Sequence, residues 1–171
     1  MTKPGKLQKD SRLERYDSLW DRPGFLVRRL HQIHVAMFHE ECGNFGITPV
    51  QSGLLTILDK QPGLDQVTLG AEVGIDRTNV ADVVSRLESR GLVERRTNPA
   101  DRRTRLVSIT AEGREFLQRV RKAMEIAQER FLAPLGEEDR RIFMRLLREL
   151  VEAGNETGRA ALRRPRGDGG E

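Results

Sequence analysis

The chain has 171 residues, of which 37% are hydrophobic, 5% aromatic and 33% charged, a length suited to one domain with an appended segment. No apolar run reaches the ~18 residues of a membrane span, and Met1 to Asp10 is charged with no apolar stretch behind it, so a cytoplasmic protein without a secretory signal is expected. Thirty basic residues stand against twenty-six acidic ones, and the one cysteine, Cys42, excludes both an internal disulfide framework and a multi-cysteine zinc site.

Residues 1–22 read as a polar N-terminal arm carrying Tyr16 and Trp20 and ending in a short helix. Pro23-Gly24 opens a helix to about Glu41, in which Leu26, Leu30, Ile33 and Met37 recur at spacings of three and four. Gly43-Asn44 and Gly46 stop it. In Thr48-Pro49-Val50-Gln51, Thr caps, Pro already holds the helical φ, and Gln reaches back to the cap. That helix ends before Gln61-Pro62-Gly63. A short helix from Thr68 to Val73 and a turn at Gly74 follow. Asp76 then caps a helix whose apolar face is Val80, Val83, Val84 and Leu87, and Gly91 ends it.

Leu92 to Arg96 reads as a strand, Thr97-Asn98-Pro99-Ala100-Asp101 as turn chemistry, and Arg105 to Ile109 as the returning strand. Helix, turn, helix and hairpin, in that order, make a winged helix-turn-helix over residues 48–110. Thr110 caps a long helix bearing Phe116, Val120, Met124, Ala127 and Phe131, which Pro134-Leu135-Gly136 breaks. Acids at Glu137, Glu138 and Asp139 favour the positive end of a last helix with an Ile142, Phe143, Leu146, Leu147, Leu150 and Val151 stripe. Residues 154–171, rich in Gly and Arg, read as a disordered basic tail. The expected fold is mainly α with a small β-hairpin wing: a winged helix-turn-helix plus a helical region at 23–47 and 111–153.

Charge is uneven along the chain. Residues 77–105 hold eight arginines against four acids, and arginine's planar fork suits phosphates and guanine edges. In a helix-turn-helix the second helix lies in the major groove with its N-terminal residues on base edges. The polar side chains there are Arg77, Thr78, Asn79, Asp82, Ser85 and Arg86, with double-stranded DNA as the expected partner; a plain amphipathic surface helix is the alternative. At the hairpin tip, Arg102 and Arg103 suit a narrow minor groove, and Asp101 is expected to hold a guanidinium in place.

The run Asp76-Arg77-Thr78-Asn79-Val80 through Leu87-Glu88-Ser89-Arg90-Gly91-Leu92-Val93 resembles the multiple-antibiotic-resistance regulator (MarR) family. So do Asp101-Arg102-Arg103 and Leu106-Val107-Ser108-Ile109-Thr110-Ala111-Glu112-Gly113. The resemblance, over about residues 24–152, implies a homodimer joined through its first and last two helices, acting as a repressor relieved by a small ligand. The segment from Arg22 to His34 resembles members that respond to aromatic or heteroaromatic acids, which implies that Arg28 binds a ligand carboxylate and His34 lines the same pocket. Physically, such a ligand needs a charge-assisted donor inside an apolar cavity, and Leu26, Leu30 and Ile33 around Arg28 read as buried. Trp20, Arg22 and His31 complete the candidate pocket.

Four other readings carry expectations of their own. His31 and His34 with Glu40 and Glu41 lack a recognisable zinc spacing, so neither metal nor other cofactor is expected. Cys42 as a peroxide sensor is disfavoured by its acidic neighbours, and a ligand-independent DNA-binding protein leaves the Arg28 segment unexplained. With no phosphate loop, nucleophile elbow or Cys-x-x-Cys, an enzyme is not expected.

Overall fold

The computed structural model describes residues 16–157; the arm before Tyr16 and the tail after Thr157 lie outside the described residues. Helix α1 (Pro23–Cys42) starts at a proline and ends in a 3-10 turn, Gly43–Phe45. Helix α2 (Pro49–Lys60) carries the full capping box: the Thr48 hydroxyl accepts the Gln51 N–H at 3.3 Å, and the Gln51 side chain accepts the Thr48 N–H at 3.0 Å. Strand β1 (Leu64–Asp65) leads into α3 (Gln66–Val73), and α4 (Arg77–Ser89) follows. Strands β2 (Val93–Thr97) and β3 (Arg105–Ile109) form the wing, then come α5 (Ala111–Leu132) and α6 (Glu137–Gly154).

The sheet has three antiparallel strands in the order β1-β3-β2, with Leu64 opposite Val107 and Val93 opposite Ile109. Sequence predicts only the hairpin, because a two-residue strand has no alternation to read and its partner lies far along the chain. The same segment moves the start of α3 from Thr68 to Gln66: Asp65 Oδ1 accepts the N–H groups of Val67 and Thr68, each at 2.9 Å, which makes Asp65 the cap. At the other end a 3-10 turn at Asn155–Thr157 follows α6, inside the stretch that composition assigns to a disordered tail.

One continuous core joins α2, α3 and α4 to the sheet and to the first half of α5 through Leu54, Leu58, Leu69, Val84, Leu87, Val107, Phe116 and Val120. Two glycines set how closely its parts approach. A Cβ on Gly113 would run into the Leu92 carbonyl and lie 2.7 Å from Ile109 Cγ1, and one on Gly70 would lie 2.7 Å from Val80 Cγ2. Only Gly fits where α5 crosses the hairpin and where α3 crosses α4. The Arg90 guanidinium donates to the Gly46 and Phe45 carbonyls (2.6 and 3.0 Å) and stacks over Phe116, tying α4 to the turn after α1.

The helical layer is less closed. The C-terminal half of α1 packs on α5, with Phe38 and Cys42 buried and Arg130 holding Glu40 and Glu41. The N-terminal half does not: Leu26 and Ile33, which sequence places in a core, are 37% and 40% exposed. No residue of α6 is buried. No helix among the described residues is long and apolar enough to cross a membrane.

Candidate nucleic-acid interface and effector cavity

Helix α4 presents two faces. Val80, Val84 and Leu87 are buried against α2 and α3, while Thr78, Asn79, Asp82, Ser85 and Arg86 are exposed. The helix opens at Arg77, whose side chain lies outside the described set. Asp76 caps it by accepting the Asn79 N–H at 3.0 Å, and its second oxygen accepts the Asn79 side-chain amide at 2.8 Å. One donor of the Asn79 amide is thereby engaged, which leaves its second N–H and its carbonyl oxygen for a base edge.

The wing tip is ordered by its own short polar side chains. The Asn98 N–H donates to the Thr104 carbonyl at 2.9 Å, and Asn98 Oδ1 accepts the Ala100 N–H at 3.0 Å. Asp101 accepts the Arg103 N–H at 3.0 Å and the Thr104 hydroxyl at 2.7 Å. These bonds, the hydroxyl first, hold the Asp101 carboxyl below its usual range. In the single chain Asp101 engages the Arg103 backbone and the Thr104 hydroxyl, closing an Asx turn, rather than the guanidinium expected from sequence.

Arginines on this side divide into paired and unpaired. Arg95 binds Glu88, with Nε 2.9 Å from Oε2, and Arg96 binds Glu94 at 2.9 Å. The Glu88 carboxyl is held low, chiefly by its hydrogen bond from Arg95. Arg86, Arg102 and Arg103 are exposed, and among the described residues no hydrogen bond or ion pair engages their side chains. These three are among the charges available to an incoming polyanion.

Between the two layers lies an open cavity of about 530 Å³. Its walls are His34 and Phe38 of α1, residues between Pro49 and Ile57 of α2, Glu72 and Val73 of α3, and Met124 and Gln128 of α5. His34 stands edge-on to Phe131 at 5.5 Å, and its Nε2 is 3.4 Å from the Gln128 amide nitrogen. Burial, then the nearby His31, lower its pKa, so the ring is mainly neutral at pH 7. Glu72 has a buried oxygen, Oε2, that no donor among the described residues reaches, and burial pushes its carboxyl up.

Of the five ligand candidates read from sequence, the single chain brings only His34 to this cavity. Arg28 is exposed, over the Phe25 ring at 5.5 Å. It precedes His34 by six residues, about 9 Å along the helix and roughly a third of a turn around it. His31 is exposed, Trp20 meets Phe25 edge-on at 5.4 Å, and Arg22 donates to the Tyr16 carbonyl at 3.0 Å. The half-buried setting expected for Arg28 is absent because none of the described residues covers the start of α1. Sequence reasoning missed Glu72, Ser52, Thr56 and Gln128. They come from three different helices, and no local pattern joins them.

Cys42 is fully buried, and burial followed by Glu41 pushes its thiol up. Exposure and a positive field are what a peroxide-sensing thiol needs, and Cys42 has neither. Among the described residues no three His, Cys, Asp or Glu side chains converge as a metal ion requires.

A model described as "MarR family" matches residues 45–104, from the turn before α2 to the wing tip. The transcriptional regulator HosA of Escherichia coli O111:H- is 33% identical over 127 residues, 74% of this chain and 93% of HosA. Among solved structures, the transcriptional repressor CouR bound to a 23-mer DNA duplex has a TM-score of 0.75 at 28% identity, covering 79% of this chain and 96% of that one. Bordetella bronchiseptica BpsR, whose DNA binding is regulated by 6-hydroxynicotinic acid, has a TM-score of 0.76 at 29% identity with the same coverage. The three-stranded wing, the helix-turn-helix it follows and the likeness to HosA over most of both chains agree: the chain belongs to the MarR family of transcriptional regulators.

Proposed function

We propose that this protein is a homodimeric repressor, released from a pseudo-palindromic operator by an aromatic or heteroaromatic carboxylate. The observation that carries the reading is the cavity of about 530 Å³, walled on one side by α2 and α3 of the winged domain and on the other by α1 and α5. A ligand there touches both layers, so it binds one relative placement of them better than another, which is the condition for a population shift.

The two α4 helices of a dimer enter successive major grooves, with half-site centres about 10 bp apart. Arg77, Thr78, Asn79, Asp82, Ser85 and Arg86 face base edges and flanking phosphates, and Arg102 and Arg103 reach the minor groove from a wing ordered by Asp101. A second copy covers the apolar row of α6 and the start of α1, and in that setting Arg28 becomes the carboxylate donor. Its guanidinium has no acidic partner among the described residues, and BpsR, with its 6-hydroxynicotinic acid, supports the ligand class.

The test is fluorescence anisotropy on the DNA upstream of the protein's own reading frame, at fixed salt, with hydroxybenzoates and hydroxynicotinates titrated in. One acid should release the wild type and fail to release Arg28→Ala. A ~100-fold loss of operator affinity corresponds to about 2.7 kcal/mol of coupling. Tight binding that no acid disturbs would remove the effector assignment and leave the DNA-binding regulator.

A further inference from the structure

Every polar side chain that the winged domain contributes to this cavity is an acceptor. The Ser52 hydroxyl donates to the Pro49 carbonyl at 2.8 Å, and the Thr56 hydroxyl donates to the Ser52 carbonyl at 2.8 Å. With their protons engaged by the helix backbone, both offer the cavity only lone pairs. Glu72 offers a carboxylate. Elsewhere in the molecule Glu40, Glu41, Glu88, Glu94, Glu129 and Glu138 are each met by an arginine. Among the described residues no hydrogen bond or ion pair engages Glu72. Oε2 is buried and Oε1 is not, so Oε1 is the acceptor that a ligand in the cavity can reach.

An anionic ring cannot turn its carboxylate towards this wall, because acceptor would meet acceptor. It must point that group to the α1 and α5 side and present a hydrogen-bond donor to α2 and α3. We infer that Glu72 is the acceptor for a ring hydroxyl of the effector and makes the regulator selective for hydroxylated aromatic acids over unsubstituted or O-methylated ones. This rests on the aromatic-acid reading of the cavity. Its physical basis is that a ligand seated against Glu72 takes water from that acceptor, and one without a donor leaves it unpaired.

Isothermal titration calorimetry of the full-length protein with 4-hydroxybenzoate, 3-hydroxybenzoate, 4-methoxybenzoate and benzoate tests it. The wild type should prefer a hydroxybenzoate over benzoate and the methyl ether by about 10- to 100-fold, the range of a hydrogen bond to a charged group. Glu72→Leu should bring all four within about threefold of one another, with benzoate binding no weaker than in wild type. Glu72→Gln, which keeps an acceptor oxygen, should restore part of the preference. An undiminished preference in Glu72→Leu would overturn the assignment. So would a wild type that binds all four acids equally, and in that case the effector reading stands and only the role of Glu72 falls. If the wild type binds none of them and no hydroxynicotinate either, the effector reading falls and takes this inference with it.

Discussion

In the winged domain the apolar faces of α2, α3 and α4 are covered on every side: Leu54, Leu55, Leu58, Leu69, Val80, Val84 and Leu87 retain no exposed surface. In α6 a stripe with the same helical spacing is open, with Leu146 and Leu150 at 44% and 69% exposure. The difference lies in what faces each helix. Three short helices cross one another and a sheet closes the remaining side, whereas α6 is joined to the body chiefly at its start, where Arg140 donates to the Leu132 and Leu135 carbonyls, both at 3.1 Å, and binds Glu129. Apolar periodicity defines a face and leaves open what covers it. For the helical layer, the covering surface we propose is a second copy.

This contrast has a direct mutational form. Leu58→Ala should lower unfolding free energy by ~2–5 kcal/mol, the cost of a cavity in a closed core, at every protein concentration. Leu146→Glu should change the intrinsic fold little and convert dimer to monomer in sedimentation velocity. If its mass stays that of the wild type, α6 is not where the second copy docks. Gly113→Ala is next in size, at ~1–3 kcal/mol from overpacking against the Leu92 carbonyl and Ile109. Chemical denaturation should show it as a lower midpoint with an unchanged slope.

DNA contacts sharpen the comparison within the winged domain. Arg86→Ala should cost ~1–3 kcal/mol at one base position and relax preference there; equal weakening on every sequence would make Arg86 a backbone contact. Arg103→Ala should weaken all sequences alike and reduce the salt slope by about one. The smallest effect belongs to His34. Its folded-state pKa lies below the ordinary 6.5, so the unfolded chain takes up the proton first. The stabilisation is complete above pH 6.5, declines as pH falls below that value, and levels off once the folded form is protonated too. Thermal midpoints in acid should therefore fall slightly more for the wild type than for His34→Gln.

What sequence reveals here follows how local the cause is. Thr48, Asp76 and Thr110 were legible as caps because each acts on a backbone N–H three residues away. The recognition-helix core at Val80, Val84 and Leu87 was legible from its period. Strand β1 was not, since two residues carry no pattern and the pairing is distant. The burial of Leu26 and Ile33 was misjudged because helical period marks an apolar face without saying what covers it, and none of the described residues does. The cavity was legible only at His34, because Glu72, Thr56 and Gln128 meet through packing of α3, α2 and α5 rather than through spacing.

The central claim is that ligand and operator compete through the placement of the two layers. It is tested most directly by measuring, by calorimetry at one salt concentration, the affinity of the acid giving strongest release for free protein and for protein saturated with operator. Reciprocity requires DNA to weaken the acid by the same factor by which the acid weakens DNA, about 100-fold for coupling of ~2.7 kcal/mol. Equal affinity for the free and DNA-bound forms would contradict the account.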